Sequence, residues 1–258
     1  TTSLGPFLHN RSFRRLGIDA VYLPFETSRP EEVVAMLQRG RLRGLSVTAP
    51  YKERAARLCH RLGDDAAKLG VTNTLVTENA DRLVGHNTDV RGVRGALEGA
   101  GVGAGGGRQA VVLGTGGAAR AAVHALVGMG FRVRMLGRSL DPAREFARRH
   151  EVELGSLAAN VLQECAPAVV VNATPVGGLG RDPDERPVPG WLPAAGTVVL
   201  DMVYRPRITA LLRDAAANGA VAVPGLEMFL SQALAQLRLF TGRDVPVAAL
   251  RGFLAGAH

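Results

Sequence analysis

Five short apolar runs, each separated from the next by a helical stretch, constrain the fold of the second half of this chain. The runs span Ala110–Leu113, Val133–Leu136, Val169–Val171, Val198–Leu200 and Val221–Val223. Strands that are apolar on both faces and alternate with helices are typical of a parallel sheet that is covered by helices on both sides. We therefore predict an α/β fold in which the second half forms such a sheet.

The loop after the first of these runs reads Gly114-Thr115-Gly116-Gly117-Ala118-Ala119 and fits the pattern GxGxxA. The first glycine permits a tight turn, and the second lets the backbone approach a pyrophosphate that rests on the helix N-terminus. Because strand, loop and helix follow in the required order, we predict a Rossmann-type dinucleotide site. Its contacts would be Gly114, Gly116, Gly117 and Ala118. A glycine-rich turn without a ligand is the alternative.

The end of the next predicted strand indicates which dinucleotide is bound. An NAD site usually places Asp or Glu there, on the ribose hydroxyls, whereas this chain has Arg138 and Ser139. A guanidinium and a hydroxyl can hold a 2′-phosphate, so the sequence favours NADP. Arg138 could also be an ordinary surface residue of an arginine-rich chain, and Arg144 is a weaker second candidate.

In the first half, Lys52 is unusual because only two of the 31 lysine and arginine residues are lysines. A lysine can exchange its proton under physiological conditions, whereas an arginine stays charged. We predict a strand over residues 45–49, ended by Pro50, and a helix that begins at Lys52. The positive end of the helix dipole would favour the neutral amine, and Thr48 would face the same cleft. A solvated surface lysine is the alternative.

Other local patterns predict the remaining elements. We expect a first helix over residues 7–18, a strand over Val21–Phe25, and a helix that starts at a capping box, Ser28–Glu31, and closes at Gly40. Val71–Thr77 and Leu83–His86 read as short strands around an Asn-Ala-Asp turn. The glycine-rich segment 99–107 reads as a hinge or linker. Apolar residues with helical spacing from Leu226 to Phe240 predict a terminal helix.

Composition limits the partners and the compartment. Although the net charge is +8, the arginines are scattered and aromatic residues make up only 5%, so we expect small anionic ligands and no nucleic acid. No apolar run is long enough to span a bilayer, so we expect no membrane partner. Cys59 and Cys165 form no CxxC, which favours reduced thiols in a cytoplasm.

The histidines show no metal-binding spacing, and we predict no metal. We expect a monomer or homodimer, and the abrupt start at Thr1 suggests trimming or a longer polypeptide.

Six segments, in order and with plausible spacing, resemble motifs of the shikimate dehydrogenase family. They are Ser46–Lys52 (SVTAPYK), Val71–Leu75 (VTNTL), Gly85–Asp89 (GHNTD), Asn172–Gly177 (NATPVG), Asp201–Tyr204 (DMVY) and Gly225–Gln232 (GLEMFLSQ). The resemblance covers nearly the whole chain. It implies an N-terminal α/β substrate domain over residues 1–91, completed by a helical return over 226–258, and a Rossmann-type NADP domain over 92–225.

The resemblance also implies an activity, the NADPH-dependent reduction of 3-dehydroshikimate to shikimate in aromatic amino acid and chorismate biosynthesis. It implies that Lys52 and Asp89 are catalytic. Our hypothesis is that Lys52 gives a proton to the ketone oxygen, while Asp89 positions Lys52 and a ring hydroxyl. The positions that match substrate contacts are Ser3, Thr48, Asn73, Asp89, Tyr204 and Gln232. Those that match further cofactor contacts are Thr174, Met202, Gly225 and Met228. Without the resemblance, Met228 would read as a core residue.

The chain departs from the family pattern at three places. Ser3-Leu4-Gly5-Pro6 stands where the family has Ser-x-Ser-Pro, so one hydroxyl that holds the substrate carboxylate is missing. Losing one hydrogen bond to a charged group costs roughly 1.5–3 kcal/mol. Ser46 replaces an asparagine, and Gly137-Arg138-Ser139 replaces Asn-Arg-Thr. The change at Gly5 keeps one alternative open, a dehydrogenase of quinate or of a modified shikimate. A non-catalytic sensor of pathway metabolites is a separate alternative, although such a protein would be free to lose Lys52 or Asp89, and both are present.

Overall fold

The computed structural model describes residues 3–78 and 82–254, and the chain divides into two compact units. The first unit comprises Thr1–Thr88 and Leu230–His258, and the second comprises Asp89–Phe229. Each unit contains its own sheet with helices around it. The predicted α/β fold with two domains is therefore confirmed.

The first unit is built around a mixed sheet with the strand order β1-β3-β4-β2. Its strands are β1 (Gly44–Ser46), β2 (Arg61–Leu62), β3 (Thr74–Glu78) and β4 (Arg82–His86). Its first helices are α1 (Gly5–Arg15), α2 (Pro30–Gln38), α3 (Lys52–Arg57) and α4 (Asp64–Leu69). β3 pairs antiparallel with β1 and β4, while β2 is parallel to β4. The expected turn at residues 79–81 lies outside the described residues.

The strand predicted over Val21–Phe25 is wrong, because this segment pairs with no described strand. Its backbone is held by a helix side chain instead. Asn10 accepts from the Tyr22 N–H at 2.7 Å and donates to the Tyr22 carbonyl at 2.9 Å. The capping box is also wrong: Arg29 is the N-cap of α2, and no described side chain caps it. Pro30, with its preset φ, still begins the helix.

A small apolar core attaches α2 and α3 to the sheet of the first unit. Val34 and Leu37 from α2 and Ala55 from α3 pack against Leu75 and Leu83 from β3 and β4. Because these five side chains are buried, the start of α3 is held firmly beside the strands. This packing fixes the position of Lys52, the first residue of α3.

The second unit contains a fully parallel sheet with the order β10-β9-β8-β5-β6-β7. Its strands are β5 (Gln109–Leu113), β6 (Arg132–Gly137), β7 (Glu153–Ser156), β8 (Val169–Asn172), β9 (Val198–Asp201) and β10 (Val221–Val223). Its helices are α5 (Asp89–Gly99), α6 (Gly117–Gly128), α7 (Arg144–Arg149), α8 (Ala159–Cys165) and α9 (Ala210–Ala217). All five predicted strands are confirmed. β7 was missed because this edge strand lacks a continuous apolar run.

The glycine-rich segment 99–107 is not a linker between the units, because it lies inside the second unit. Gly105 donates to the Met129 carbonyl at 2.6 Å, and Gly107 donates to the Gly130 carbonyl at 2.9 Å. A Cβ on Gly105 would lie 2.6 Å from the Gly130 carbonyl carbon, so only glycine permits this approach. The glycines therefore serve close backbone packing rather than flexibility.

Two helices complete the C-terminal part of the chain, α10 (Gly225–Thr241) and α11 (Val247–Leu254). The predicted terminal helix is confirmed by α10, which begins in the second unit and belongs to the first from Leu230 onward. α11 lies against α1, where Arg11 donates to the Phe253 carbonyl at 2.7 Å. No helix within the described ranges combines the length and apolar character that crossing a bilayer requires.

Candidate active site

The glycine loop after β5 has the geometry of a pyrophosphate site. Gly114 adopts φ +115°, and its N–H donates to the Leu136 carbonyl at 2.7 Å. Gly116 is the N-cap of α6, no described side chain caps that helix, and a Cβ on Gly116 would meet no described atom within 4 Å. The start of this 12-residue helix therefore has open space beside Gly116 and no side-chain cap among the described residues. This arrangement, which includes Gly117 and Ala118, is suited to an anion.

Arg138 and Ser139 follow β6 on the exposed side of this loop. The turn is tight: a Cβ on Gly137 would lie 2.5 Å from the Thr115 methyl group, and the Thr115 hydroxyl donates to the Ser139 carbonyl at 3.3 Å. Within residues 3–78 and 82–254, Arg138 forms no ion pair, whereas Arg144 pairs with Asp141 at 2.7 Å. Arg138 is therefore the better candidate for a 2′-phosphate.

The carboxyl ends of β8 and β9 bring together the other residues predicted to contact a cofactor. The Asn172 side chain accepts from the Thr174 N–H at 3.0 Å and from its hydroxyl at 2.7 Å. The Thr174 methyl group would lie 3.5 Å from a Cβ on Gly114, so this residue borders the glycine loop. Met202 donates through its N–H to the Asn172 carbonyl at 2.9 Å. Both residues therefore lie at the same edge of the sheet.

The start of α10 packs directly against the end of β9. A Cβ on Gly225 would lie 2.5 Å from the Val203 carbonyl oxygen, so glycine is required for this contact. Met228, one turn later, is buried. Tyr204 lies 5.3 Å from the Phe229 ring, centroid to centroid. Gly225 and Tyr204 are thereby held near the ends of the strands.

In the first unit, the predicted residues Asn73 and Gln232 meet at Thr88. The Asn73 amide donates to the Thr88 hydroxyl at 2.9 Å, and its oxygen accepts from the Thr88 N–H at 2.8 Å. The Thr88 hydroxyl donates to the Gln232 side chain at 3.2 Å. One turn further on α10, Gln236 donates to the Thr74 hydroxyl at 3.0 Å. The contacts with Thr88 orient the Asn73 and Gln232 side chains near the first residue of β3.

Backbone hydrogen bonds bring Thr48 and Lys52 to the same end of that sheet. Val47 donates to the Asn73 carbonyl at 2.8 Å, and Thr72 donates to the Lys52 carbonyl at 3.1 Å. Tyr51 donates to the Thr48 carbonyl at 3.0 Å, which makes a tight turn between the two residues. Thr48 is exposed and Lys52 is half-buried. The structure therefore groups Thr48, Lys52 and Asn73.

Asp89 begins α5 as its first residue and is buried. It directly follows Thr88 in the chain and belongs to the second unit. Its neighbour Asn87 donates to the Val71 carbonyl at 3.2 Å, in the first unit. A negative charge in the first turn of a helix is stabilised by the helix dipole, which suits a carboxylate at this position.

Gly5 stands where the family has its second serine, and Tyr22 lies beside it. The sequence patterns did not identify Tyr22 as a site residue. The Ser3 hydroxyl accepts from the Gly5 N–H at 3.1 Å. A Cβ on Gly5 would lie 3.6 Å from the Tyr22 hydroxyl. Burial raises the pKa of the Tyr22 phenol, and the nearby Ser46 side chain partly offsets this effect. Tyr22 stood in an apolar run that read as a strand, so no local signal marked it.

The His9 ring packs against Tyr22. The two rings stack with centroids 4.6 Å apart and an interplanar angle of 14°. Burial lowers the pKa of His9 from 6.5 to about 4, although a hydrogen bond with Gln236 opposes the shift. The ring is therefore neutral near pH 7 and serves as packing. Among the residues that the structure describes, no cluster of three or more His, Cys, Asp or Glu side chains could hold a metal ion.

Comparison with known proteins places this geometry in one family. Residues 1–75 match the shikimate dehydrogenase substrate binding domain, and residues 225–252 match the shikimate 5'-dehydrogenase C-terminal domain. A shikimate dehydrogenase (NADP(+)) of Pelobacter propionicus is 38% identical over 251 residues, which cover 96% of this chain and 89% of the relative.

Solved structures give the same result. Shikimate 5-dehydrogenase of Thermus thermophilus, in complex with NADP(H) and shikimate, has a TM-score of 0.85 and 32% identity, covering 99% of this chain and 95% of that one. Quinate dehydrogenase of Corynebacterium glutamicum, in complex with NAD, has a TM-score of 0.86 and 28% identity, covering 98% and 94%. Since the similarity to the Pelobacter enzyme extends over nearly the full length of both chains, the chain belongs to the shikimate dehydrogenase family.

Proposed function

We propose that this protein is an NADP-dependent oxidoreductase that interconverts 3-dehydroshikimate and shikimate in aromatic amino acid biosynthesis. The observation that carries this proposal is the grouping of Thr48, Lys52 and Asn73 by backbone hydrogen bonds. This grouping supports the proposal because the three residues offer an amine, a hydroxyl and an amide, the groups that a polyhydroxylated substrate requires. The relatives named as NADP-dependent shikimate dehydrogenases support the same activity.

When bound, NADPH supplies the hydride that reduces the substrate ketone. The protein has to give the ketone oxygen a proton, and we assign that role to Lys52. Asp89 would orient the amine and a ring hydroxyl. Thr48, Asn73 and Gln232 would bind ring hydroxyls, with both amides oriented through Thr88. Ser3 would bind the substrate carboxylate, and Tyr204 would complete the substrate contacts.

We assign the cofactor to the second unit. The glycine loop, Gly114, Gly116, Gly117 and Ala118, would hold the pyrophosphate. Arg138 and Ser139 would hold the 2′-phosphate, because both are exposed beside that loop. Thr174, Met202, Gly225 and Met228 would border the nicotinamide. The open space at Gly116 and the uncapped start of α6, within the described residues, are the features that fit a dinucleotide here.

The proposal also covers the domain boundaries, the compartment and the oligomeric state. We propose a substrate domain over residues 1–91 with 226–258 and an NADP domain over 92–225. We also propose a cytoplasmic enzyme, monomeric or homodimeric, that acts on a small molecule and requires neither nucleic acid nor a membrane.

Steady-state kinetics with two substrates and two cofactors tests the proposal. Shikimate and quinate would each be oxidised with NADP and with NAD, and kcat/KM compared among the four pairs. We expect the shikimate and NADP pair to give the highest value. A preference for quinate with NAD would overturn the substrate and cofactor assignments. Binding of shikimate without any turnover at high enzyme concentration would instead identify a metabolite sensor.

A further inference from the structure

Asp201, at the end of β9, is the least exposed carboxylate among the described residues, at 1%. It accepts three hydrogen bonds. One carboxylate oxygen accepts from the Asn172 amide at 2.9 Å and from the Val203 N–H at 3.0 Å. The other accepts from the Thr209 hydroxyl at 2.6 Å. The carboxylate thereby joins the ends of two strands to the start of α9.

Asn172 relays this contact to the glycine loop. Because its amide nitrogen donates to Asp201, its oxygen must face Thr174, where it accepts from the N–H and the hydroxyl. The Thr174 methyl group borders Gly114. A continuous series of hydrogen bonds therefore runs from Thr209 through Asp201 and Asn172 to Thr174, which lies beside the loop.

Burying this carboxylate is costly. Within residues 3–78 and 82–254, no Lys, Arg or His forms an ion pair with Asp201. Burial raises the pKa of Asp201 from 3.8 to about 6, even though three hydrogen bonds oppose the shift. A buried carboxylate is destabilising unless hydrogen bonds satisfy its oxygens. The Asn172 amide and the Val203 N–H can only donate, whereas the Thr209 hydroxyl can donate or accept. An asparagine would keep the first two bonds through its oxygen, but it would take from the Thr209 O–H its carboxylate acceptor.

Sheet order indicates which part of the cofactor this network serves. The proposed pyrophosphate loop follows β5, and Arg138 follows its neighbour β6. On the other side of β5 lie β8 and then β9. If Arg138 holds the 2′-phosphate of the adenosine half, the nicotinamide half must extend over the ends of β8 and β9. Those are the ends that Asp201 joins.

We propose that Asp201 is a positioning residue that fixes Thr174 and the segment 202–209 for the nicotinamide half of the dinucleotide. This inference rests on the proposed function, because it requires NADP to occupy the second unit. Asp201 acts through Asn172, Val203 and Thr209, and it need not touch the cofactor. Its removal should weaken the nicotinamide contacts and leave the adenosine contacts intact.

Direct binding to Asp201→Asn tests the proposal. NADPH binding would be followed by nicotinamide fluorescence, and binding of 2′-phospho-ADP-ribose, which lacks nicotinamide, by calorimetry. We expect the NADPH Kd to rise at least about tenfold and the fragment Kd to change less than about twofold. Asp214→Asn is the matched control, since Asp214 lies on α9 in the same unit and pairs with Arg186 at 2.5 Å. It should leave both constants unchanged.

Thr209 provides a second, milder pair of variants. Thr209→Val removes the hydroxyl that donates to Asp201, whereas Thr209→Ser keeps it. We expect only the valine variant to raise the NADPH Kd and the KM for NADP, with the KM for shikimate unchanged. Equal loss of NADPH and fragment binding in Asp201→Asn, or wild-type NADPH binding in that variant, would overturn the proposal. Absence of NADPH binding by the wild-type protein would instead contradict the proposed function.

Discussion

The Tyr22 hydroxyl lies 3.6 Å from the position that a Cβ on Gly5 would occupy. The added Cβ would also lie 3.3 Å from the Ser3 hydroxyl, which is exposed and able to shift slightly. Gly5 is the first residue of α1 and does not have a positive φ, so the backbone accepts a side chain. The site can therefore regain the second serine of the family pattern.

We predict that Gly5→Ser lowers the KM for shikimate by about threefold to tenfold, because one more hydroxyl can donate to the substrate carboxylate. The kcat should stay within about twofold. Gly5→Ala is the matched control, because it adds the Cβ without the hydroxyl, and its KM should match the wild type. Initial-rate measurements with saturating NADP check this. Identical KM values for the serine and alanine variants would contradict a carboxylate contact at this position.

Tyr22→Phe should have the opposite effect. The phenol is half-buried beside Gly5, so its removal leaves that polar site poorer by one hydroxyl. We expect the KM for shikimate to rise by about fivefold, with folding unaffected because the ring is retained. In a Gly5→Ser background the rise should be smaller, since the added serine replaces the lost hydroxyl. A double-mutant cycle on KM measures this coupling, and strict additivity would argue against a shared role.

Lys52→Arg separates charge from proton transfer. The substitution keeps a cation at the start of α3 but replaces a group that can release a proton by one that cannot. We predict a fall in kcat of about 10²–10⁴-fold with a smaller change in KM. Lys68→Arg is the control, because Lys68 is the other lysine of the chain and lies on α4 in the same unit. A near-normal kcat with a raised KM would make Lys52 a binding residue.

Arg138→Gln tests the phosphate assignment. Because Arg138 is exposed and forms no ion pair within the described residues, its loss should cost the protein little stability. We expect the KM for NADP to rise by at least about tenfold and the KM for NAD to change little, since NAD lacks the 2′-phosphate. Arg144→Gln serves as the control, because Arg144 is already paired with Asp141. Equal effects of Arg138→Gln on both cofactors would exclude a phosphate contact.

Sequence patterns correctly predicted those elements whose structure is determined by residues close together in the sequence. The glycine loop and the strands around it were identified because buried parallel strands carry continuous apolar runs. The segment around Tyr22 was wrongly predicted as a strand, because its backbone hydrogen-bonds to the Asn10 side chain on α1. An alternation of polar and apolar residues cannot reveal such a contact. Gln232 reaches Thr88 across 144 residues, and only the family resemblance pointed to it.

The Asp201 network likewise could not be derived from spacing. Asn172 and Asp201 were visible as parts of two motifs, but their contact depends on the register of β8 and β9, which makes these two residues partners. Register in a parallel sheet follows from packing across several strands and helices, so single-sequence patterns do not determine it. The same packing also determines which arginine side chains form an ion pair with a carboxylate.

His9 should make the stability of the first unit depend on pH. Its pKa is lowered from 6.5 to about 4 by burial, so the unfolded chain binds a proton between these values while the folded unit does not. The contribution to the free energy of unfolding is therefore complete above about pH 6.5 and is lost as pH falls to about 4. Its size is roughly 3 kcal/mol. Asp201 lies in the second unit, and its pKa, raised to about 6, makes the stability of that unit change in the opposite direction over nearly the same window.

We predict that His9→Gln removes most of this dependence. Urea unfolding of both proteins, followed by far-ultraviolet circular dichroism at intervals between pH 4.5 and pH 7, gives the difference in free energy at each pH. Taking this difference cancels the contribution of Asp201, which both proteins share. The wild type should lose stability relative to the variant as pH falls, because only the wild type must keep a buried imidazole neutral. A difference that stays constant across the range would mean that His9 is protonated in the folded state or accessible to water. Trp191, the single tryptophan, lies in the second unit and should report an unfolding transition that His9→Gln leaves unchanged.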